Sequence, residues 1–220
     1  MRVASVRRRL WTAALALAGV LLLGAAESGP ARESLFDGRT LAGWVPSGFE
    51  GERGVRVESE HEPGRAAIVI EAGTTLGGIT STLGPRLPRM NYEIAFEAMR
   101  VAGGDFFGAL TFPVENNACT LVLGGWGGTV VGLSSIDGAD ASGNETTREM
   151  EFADRCWYRV RVRVTPGRIE VWIDDARVVD LATAGRRLGL RPGDIQKSRP
   201  LGISTYMTKA AVRAITLTRL

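Results

Sequence analysis

Carboxylates are the side chains whose spacing here points to chemistry. Residues 91–112 read "NYEIAFEAMRVAGGDFFGALTF", with Glu93 and Glu97 ahead of a Gly-Gly pair and Asp105 just after it. Folding the two halves back as a hairpin sets Tyr92, Ile94, Phe96 and Ala98 against Phe112, Leu110, Gly108 and Phe106, which makes one face wholly apolar. The other face then carries Glu93, Glu97 and Met99 beside Thr111, Phe107 and Asp105. In this register Glu97 and Asp105 are diagonal neighbours about 7–8 Å apart, with room for a water or a sugar hydroxyl between them. Glycosidases work with paired carboxylates about 5–5.5 Å apart for retention and about 6.5–9.5 Å for inversion. Glu97 and Asp105 are therefore the candidate catalytic pair, with Glu93 beside them as a binding residue. The plainer alternative is two solvent-facing acids near a loop. The single histidine, His61, lies in the charged stretch "ESEHEPGR" and reads as a solvated loop residue. One histidine supports neither a histidine-based metal site nor a Ser-His triad, and no metal or cofactor is expected.

A second stretch, "LGGWGGTVVGL" at 123–133, sets one tryptophan between pairs of glycines. Glycine within a strand pattern marks a bulge or a close backbone approach. Trp126 is then either a flat platform for the C–H face of a sugar ring or an inward side chain for which the glycines make room. The loop that follows, "SSIDGADASGNETTRE", is long and polar. Asp137, Asn144 and Arg148 are its side chains best suited to hydrogen-bond sugar hydroxyls.

The elements that must position these groups read as strands. "WYRVRVRV" at 157–164 alternates Tyr158, Val160, Val162 and Val164 with three arginines, so one face is buried and the other wet. A "TPGR" turn leads into "RIEVWIDDARVVDL", and "AVRAITLTRL" closes the chain as a further strand. Short alternating runs between glycine, proline and Asp/Asn turns predict an antiparallel β-sandwich. The one helical piece expected is a turn or two around 183–188.

The first 26 residues hold four arginines, an apolar run from Leu10 to Leu23 and small residues up to Ala26, the layout of a cleaved export signal. The apolar run is short for a spanning helix, which needs about 20 residues. The expectation is a mature chain without stable membrane insertion, exported to the periplasm or the extracellular space. Residues 27–33 read as a short linker and 34–220 as one domain. Of the 27 Lys and Arg, four precede the cut, whereas all 24 Asp and Glu follow it, so the mature chain carries a formal charge of −1. A nucleic-acid partner is excluded for want of a basic footprint. Cys119 and Cys156 form either a disulfide or two separate thiols.

Three stretches together resemble a known family. "SLFDGRTLAGW" at 34–44, "RCWYRVRVRVTPGRIEVWIDDARVVDL" at 155–181 and "PLGISTYMTKAAVRAITLTRL" at 200–220 are similar, in order and spacing, to the 3-keto-disaccharide hydrolase family. The resemblance implies a concanavalin/laminin-G-like jelly roll with substrate in its concave face. It also implies cleavage of 3-keto-glycosides, by hydrolysis or by elimination followed by hydration, with an oligosaccharide or glycoside as partner. Where that family shows Gln-Asp-His-Gly, this chain has Ser204-Thr205-Tyr206-Met207, which makes Tyr206 the binding residue expected there. Where it often shows a Glu-x-Gln strand, this chain has Thr120-Leu121-Val122. The alternative function is a non-catalytic glycan-binding module on the same fold.

Overall fold

A computed structural model describes residues 31–62 and 64–220; the expected export signal lies outside the described residues. The described residues form fifteen strands: β1 (Arg32–Ser34), β2 (Trp44–Pro46), β3 (Val55–Glu62), β4 (Arg65–Ile70), β5 (Leu76–Ser81), β6 (Tyr92–Ala102), β7 (Ala109–Val114), β8 (Asn117–Gly125), β9 (Val130–Ser134), β10 (Arg148–Glu149), β11 (Trp157–Thr165), β12 (Arg168–Ile173), β13 (Ala176–Ala182), β14 (Gly202–Tyr206) and β15 (Lys209–Arg219). One sheet runs β13-β12-β11-β6-β15-β4-β3, with β1 also paired to β15; the other runs β10-β9-β8-β7-β14-β5-β2. All pairings between strands are antiparallel. The fold is an all-β antiparallel jelly-roll sandwich.

Side-chain alternation explains why the layers close. On β11, Val160, Val162 and Val164 are buried, and they meet Ile173, Val171 and Ile169 of β12 in register. From the other layer, Leu110 and Phe112 of β7 and Cys119, Leu121 and Leu123 of β8 enter the same core. The opening stretch also packs as architecture. Leu35, Phe36 and Trp44 are buried, and the Trp44 indole N–H donates to the Leu35 carbonyl at 2.7 Å. The Asp37 carboxylate ties the turn by accepting the Arg39 and Thr40 amides, each at 2.8 Å. Strand β1 begins at Arg32, within the stretch expected to be linker.

The expected hairpin over 91–112 is not formed. Strand β6 pairs with β11 and β15 in one sheet, whereas β7 pairs with β8 and β14 in the other. Between them the chain crosses from one layer to the next. Tyr92, Ile94 and Phe96 do share an apolar environment with Leu110 and Phe112, but across the core rather than within one sheet. Residues 183–188 form a turn and a single bridge from Leu188 to Ile136, not a helix; short 3-10 turns lie instead at Gly84–Arg86 and Asp194–Ser198. The two cysteines are free: Cys119 is in the core, where burial pushes its thiol up to about 12, and Cys156 is exposed ahead of β11. His61 is on β3 rather than in a loop, its side chain only 12% exposed, with Nδ1 2.6 Å from Glu58 and its ring edge-on to Trp157.

Candidate functional site

The turn that carries Trp126 is built by backbone constraint. Gly124, Trp126, Gly127 and Gly128 all take positive φ, with Trp126 at 49°. For a residue with a side chain this conformation costs about 1–2 kcal/mol, so something must hold it. The Gly127 amide donates to Asp105 Oδ2 at 3.1 Å, and Asp105 Oδ1 accepts the Phe106 amide at 2.8 Å. At Gly128 a Cβ would lie 2.9 Å from the Arg100 guanidinium and 3.2 Å from the Gly104 carbonyl, and its φ of 104° favours glycine, which lets the two loops approach closely. Trp126 consequently points outward and is 45% exposed.

Two more aromatics join it from neighbouring turns. The Tyr206 amide donates to the Phe106 carbonyl at 3.0 Å, and the two rings sit 5.8 Å apart at a 36° tilt. Tyr206 is 37% exposed. The Asp105 amide donates to Thr208 Oγ1 at 3.1 Å, so one aspartate links the turns that bear Phe106, Trp126 and Tyr206.

These rings edge a pocket of about 420 Å³ on the outer face of the seven-stranded sheet, a size typical of small-molecule sites. Its floor consists of outward residues on strands whose other face is core: Ala109 on β7, Thr120 and Val122 on β8, and Ser134 on β9. Thr120 and Thr111 share a 2.9 Å hydroxyl contact, and Ser134 Oγ donates to Asp140 Oδ1 at 3.2 Å. The opposite wall is Arg191, Pro192, Asp194 and Ile195. A floor of small and hydroxyl-bearing side chains below flat aromatics gives stacking area together with hydrogen-bonding groups.

Of the residues expected from sequence, the structure brings Asp105, Trp126 and Tyr206 together at this pocket. The proposed pairing of Glu97 with Asp105 is corrected: Glu97 lies on the outer face of the other sheet, 2.6 Å from Arg213 Nε. Glu93 is on that same outer face, where it accepts from Arg161 at 3.3 Å and from Arg163 at 2.9 Å. Asp137 is turned to the loop beside it, accepting the Arg187 amide at 2.7 Å and Arg186 Nε at 2.6 Å; the amide and then the guanidinium hold its carboxyl below the usual range. Asn144 organises its own loop: its Nδ2 donates to the Leu133 and Asp140 carbonyls at 2.8 Å, and its Oδ1 accepts the Thr146 amide at 2.9 Å. Arg148 donates to the Thr147 carbonyl at 2.7 Å. These loop groups satisfy backbone atoms that the long connection would otherwise leave unpaired.

Sequence reasoning missed Thr120, Ser134, Arg191 and Asp194. Hydroxyl residues at outward positions of apolar strands were the available signal for the first two. Among the described residues, no three His, Cys, Asp or Glu side chains gather as metal ligands, and no helix is long and apolar enough to cross a membrane.

Asp194 also fixes the wall. It accepts the Glu50 amide at 2.8 Å and lies 3.1 Å from Lys197 Nζ, and these contacts, the amide first, hold its carboxyl below the usual value. A lowered folded-state pKa contributes stability that is complete above the ordinary Asp value of about 3.9 and is lost as pH falls through the lowered one. Acidification below about pH 4 is therefore expected to loosen the wall from the 48–52 loop before the core yields. Hydrogen exchange at the Glu50 amide reads this directly, and protection unchanged down to full protonation would refute it.

The family model described as a 3-keto-alpha-glucoside-1,2-lyase-like domain matches residues 31–218. No curated protein matches the chain. Solved structures similar in fold include a candidate glycosyl hydrolase from Parabacteroides distasonis, 14% identical over 86% of this chain and 94% of that one, with a TM-score of 0.54. Domain 4 of AbnA, a GH43 extracellular arabinanase from Geobacillus stearothermophilus solved with arabinotriose, is 12% identical over 86% and 91%, with a TM-score of 0.53. The exoplasmic/lumenal domain of VIP36, in its Ca2+/Man3GlcNAc-bound form, is 13% identical over 86% and 87%, with a TM-score of 0.55.

Proposed function

Because this chain belongs to the 3-keto-alpha-glucoside-1,2-lyase-like family, we propose that the pocket beside Trp126 holds a saccharide, and that this saccharide is a 3-keto-glycoside cleaved there. The observation that carries the reading is the outward Trp126 indole, fixed with Tyr206 over a floor of Ala109, Thr120, Val122 and Ser134. A pyranose offers a C–H face to such a ring and hydroxyls to such a floor.

The chemistry suits a carboxylate. In a 3-keto-glycoside the C2 hydrogen is α to the carbonyl, so a modest base removes it; an aspartate does comparable work in ketosteroid isomerase. The proton passes to the carboxylate, the C2–H electron pair forms the C1=C2 bond, and the C1–O bond to the aglycone breaks. The departing oxygen takes up a proton and leaves as an alcohol. Water adding across the double bond then gives the free 3-keto sugar. We assign the base to Asp105, the carboxylate beside Trp126.

A second reading, a non-catalytic glycan-binding module, is favoured by one observation. Both oxygens of Asp105 already accept backbone amides, and Asp194 is held by Glu50 and Lys197. Incubating the chain with a 3-keto-disaccharide and with its unoxidised parent separates the two. Cleavage of the oxidised sugar alone supports the first reading; binding without cleavage of either leaves the second. In both, Trp126→Ala is expected to weaken saccharide binding by about 1–3 kcal/mol, if stacking on sugars resembles stacking on bases. An unchanged affinity by titration calorimetry would remove Trp126 from the site.

The arginine-rich, apolar start of the chain supports export. Mass spectrometry of the exported protein is expected to find it beginning near Glu27, and an intact 1–26 segment would refute cleavage.

A further inference from the structure

The pocket is electrically lopsided. Its outer wall contributes Asp194 on the β5 side, through the Glu50 contact, and Arg191 on the β9 side, through Asp140 and Ser134. The two acids that line the pocket are engaged: Asp194 by the Glu50 amide and Lys197, Asp105 by the amides of Phe106 and Gly127. Arg191 is not. Its guanidinium donates no hydrogen bond to any described residue; its nearest acid is Asp140, at 3.5 Å from Nη1, and its side chain is 63% exposed. Other arginines near this face are committed, Arg186 to Asp137 and Arg199 to Gln196 and Asn117.

We propose that Arg191 reads a carboxylate on the bound saccharide, so that the pocket takes a uronate-bearing saccharide in preference to its neutral counterpart. This rests on the reading that the Trp126 pocket holds a saccharide. A guanidinium presents parallel N–H donors in a plane, which match the two oxygens of a carboxylate. A long pair with Asp140 near the surface contributes little, so the ligand's carboxylate displaces a weak partner. With the aromatics stacking on the ring and Arg191 holding the charge on the β9 side, the saccharide lies in one direction across the strands.

The test uses the full chain and two disaccharides that differ only at C6, cellobiose and cellobiouronic acid. Titration at low salt is expected to show the acid binding several-fold more tightly, the scale of a bidentate ion pair at an exposed guanidinium. Arg191→Ala is expected to erase that preference by lowering affinity for the acid far more than affinity for cellobiose, and Arg191→Lys to restore part of it. Raising the salt concentration should shrink the preference as well. Equal binding of the two sugars that still depends on Trp126 would overturn the role of Arg191 alone. So would an Arg191→Ala variant that weakens both sugars equally. A chain that binds neither sugar, though folded by circular dichroism, would overturn this inference together with the saccharide reading.

Discussion

Val162→Asp is expected to unfold the sandwich, whereas Arg161→Ala one residue away should cost about 1 kcal/mol. Val162 is fully buried and lies between Val171 of β12 and Ile94 of β6 in register. Aspartate there has no cation within the core, and an unpaired buried charge costs several kcal/mol or forces protonation. The whole stability of such a domain is about 5–15 kcal/mol. Arg161 faces the other way: it lies 3.3 Å from Glu93 and 4.0 Å above the Trp172 ring. A partly exposed ion pair and a cation–π contact contribute about 0.5–1 kcal/mol each, and Glu93 keeps Arg163 at 2.9 Å when Arg161 is gone. Thermal and urea unfolding of the two variants measure the contrast. Comparable losses would overturn the assignment of faces on β11.

Asp105→Asn is expected to lower turnover of a 3-keto-disaccharide by about 10²–10⁴-fold, the usual contribution of a general base. Asparagine has one acceptor oxygen where aspartate has two, so either the Phe106 or the Gly127 amide also loses its partner. KM is thus expected to rise several-fold as the Trp126 turn relaxes. The split between the constants is decisive. A fall in kcat far larger than the rise in KM marks Asp105 as the base. If KM alone rises, Asp105 only holds the turn in place, and the proton goes elsewhere.

The layers were legible in the sequence, but their partition was not. Alternation along "WYRVRVRV" and "RIEVWI" tells which side chains face inward, because a wet face and a dry face differ in composition. In a sandwich, however, two strands present the same inward pattern whether they are neighbours in one sheet or face each other across the core. Tyr92, Ile94 and Phe96 and Leu110 and Phe112 satisfy either arrangement, and the Gly103–Gly104 pair suits a crossing between layers as well as a tight hairpin. The supposed Glu97–Asp105 pair depended on that choice and went with it. Trp126 was legible because its glycines limit it to a special turn. Asp137, Asn144 and Arg148 misled because a polar loop side chain serves its own backbone as readily as a ligand. Arg191 and Asp194 gave no periodic signal, since their places are set by contacts with residues far away in sequence.

The pairing of β1 with β15 sets Arg32 directly across from Thr218, so the two ends of the described sandwich are neighbours on the layer away from the pocket. A short peptide could join them and the chain be reopened at the exposed Thr165–Arg168 turn, a circular permutation that leaves every pocket strand continuous. For the same reason a bead, a surface or a second protein coupled through those ends would face the opposite layer. The aromatic rim would then remain open to large glycans in solution.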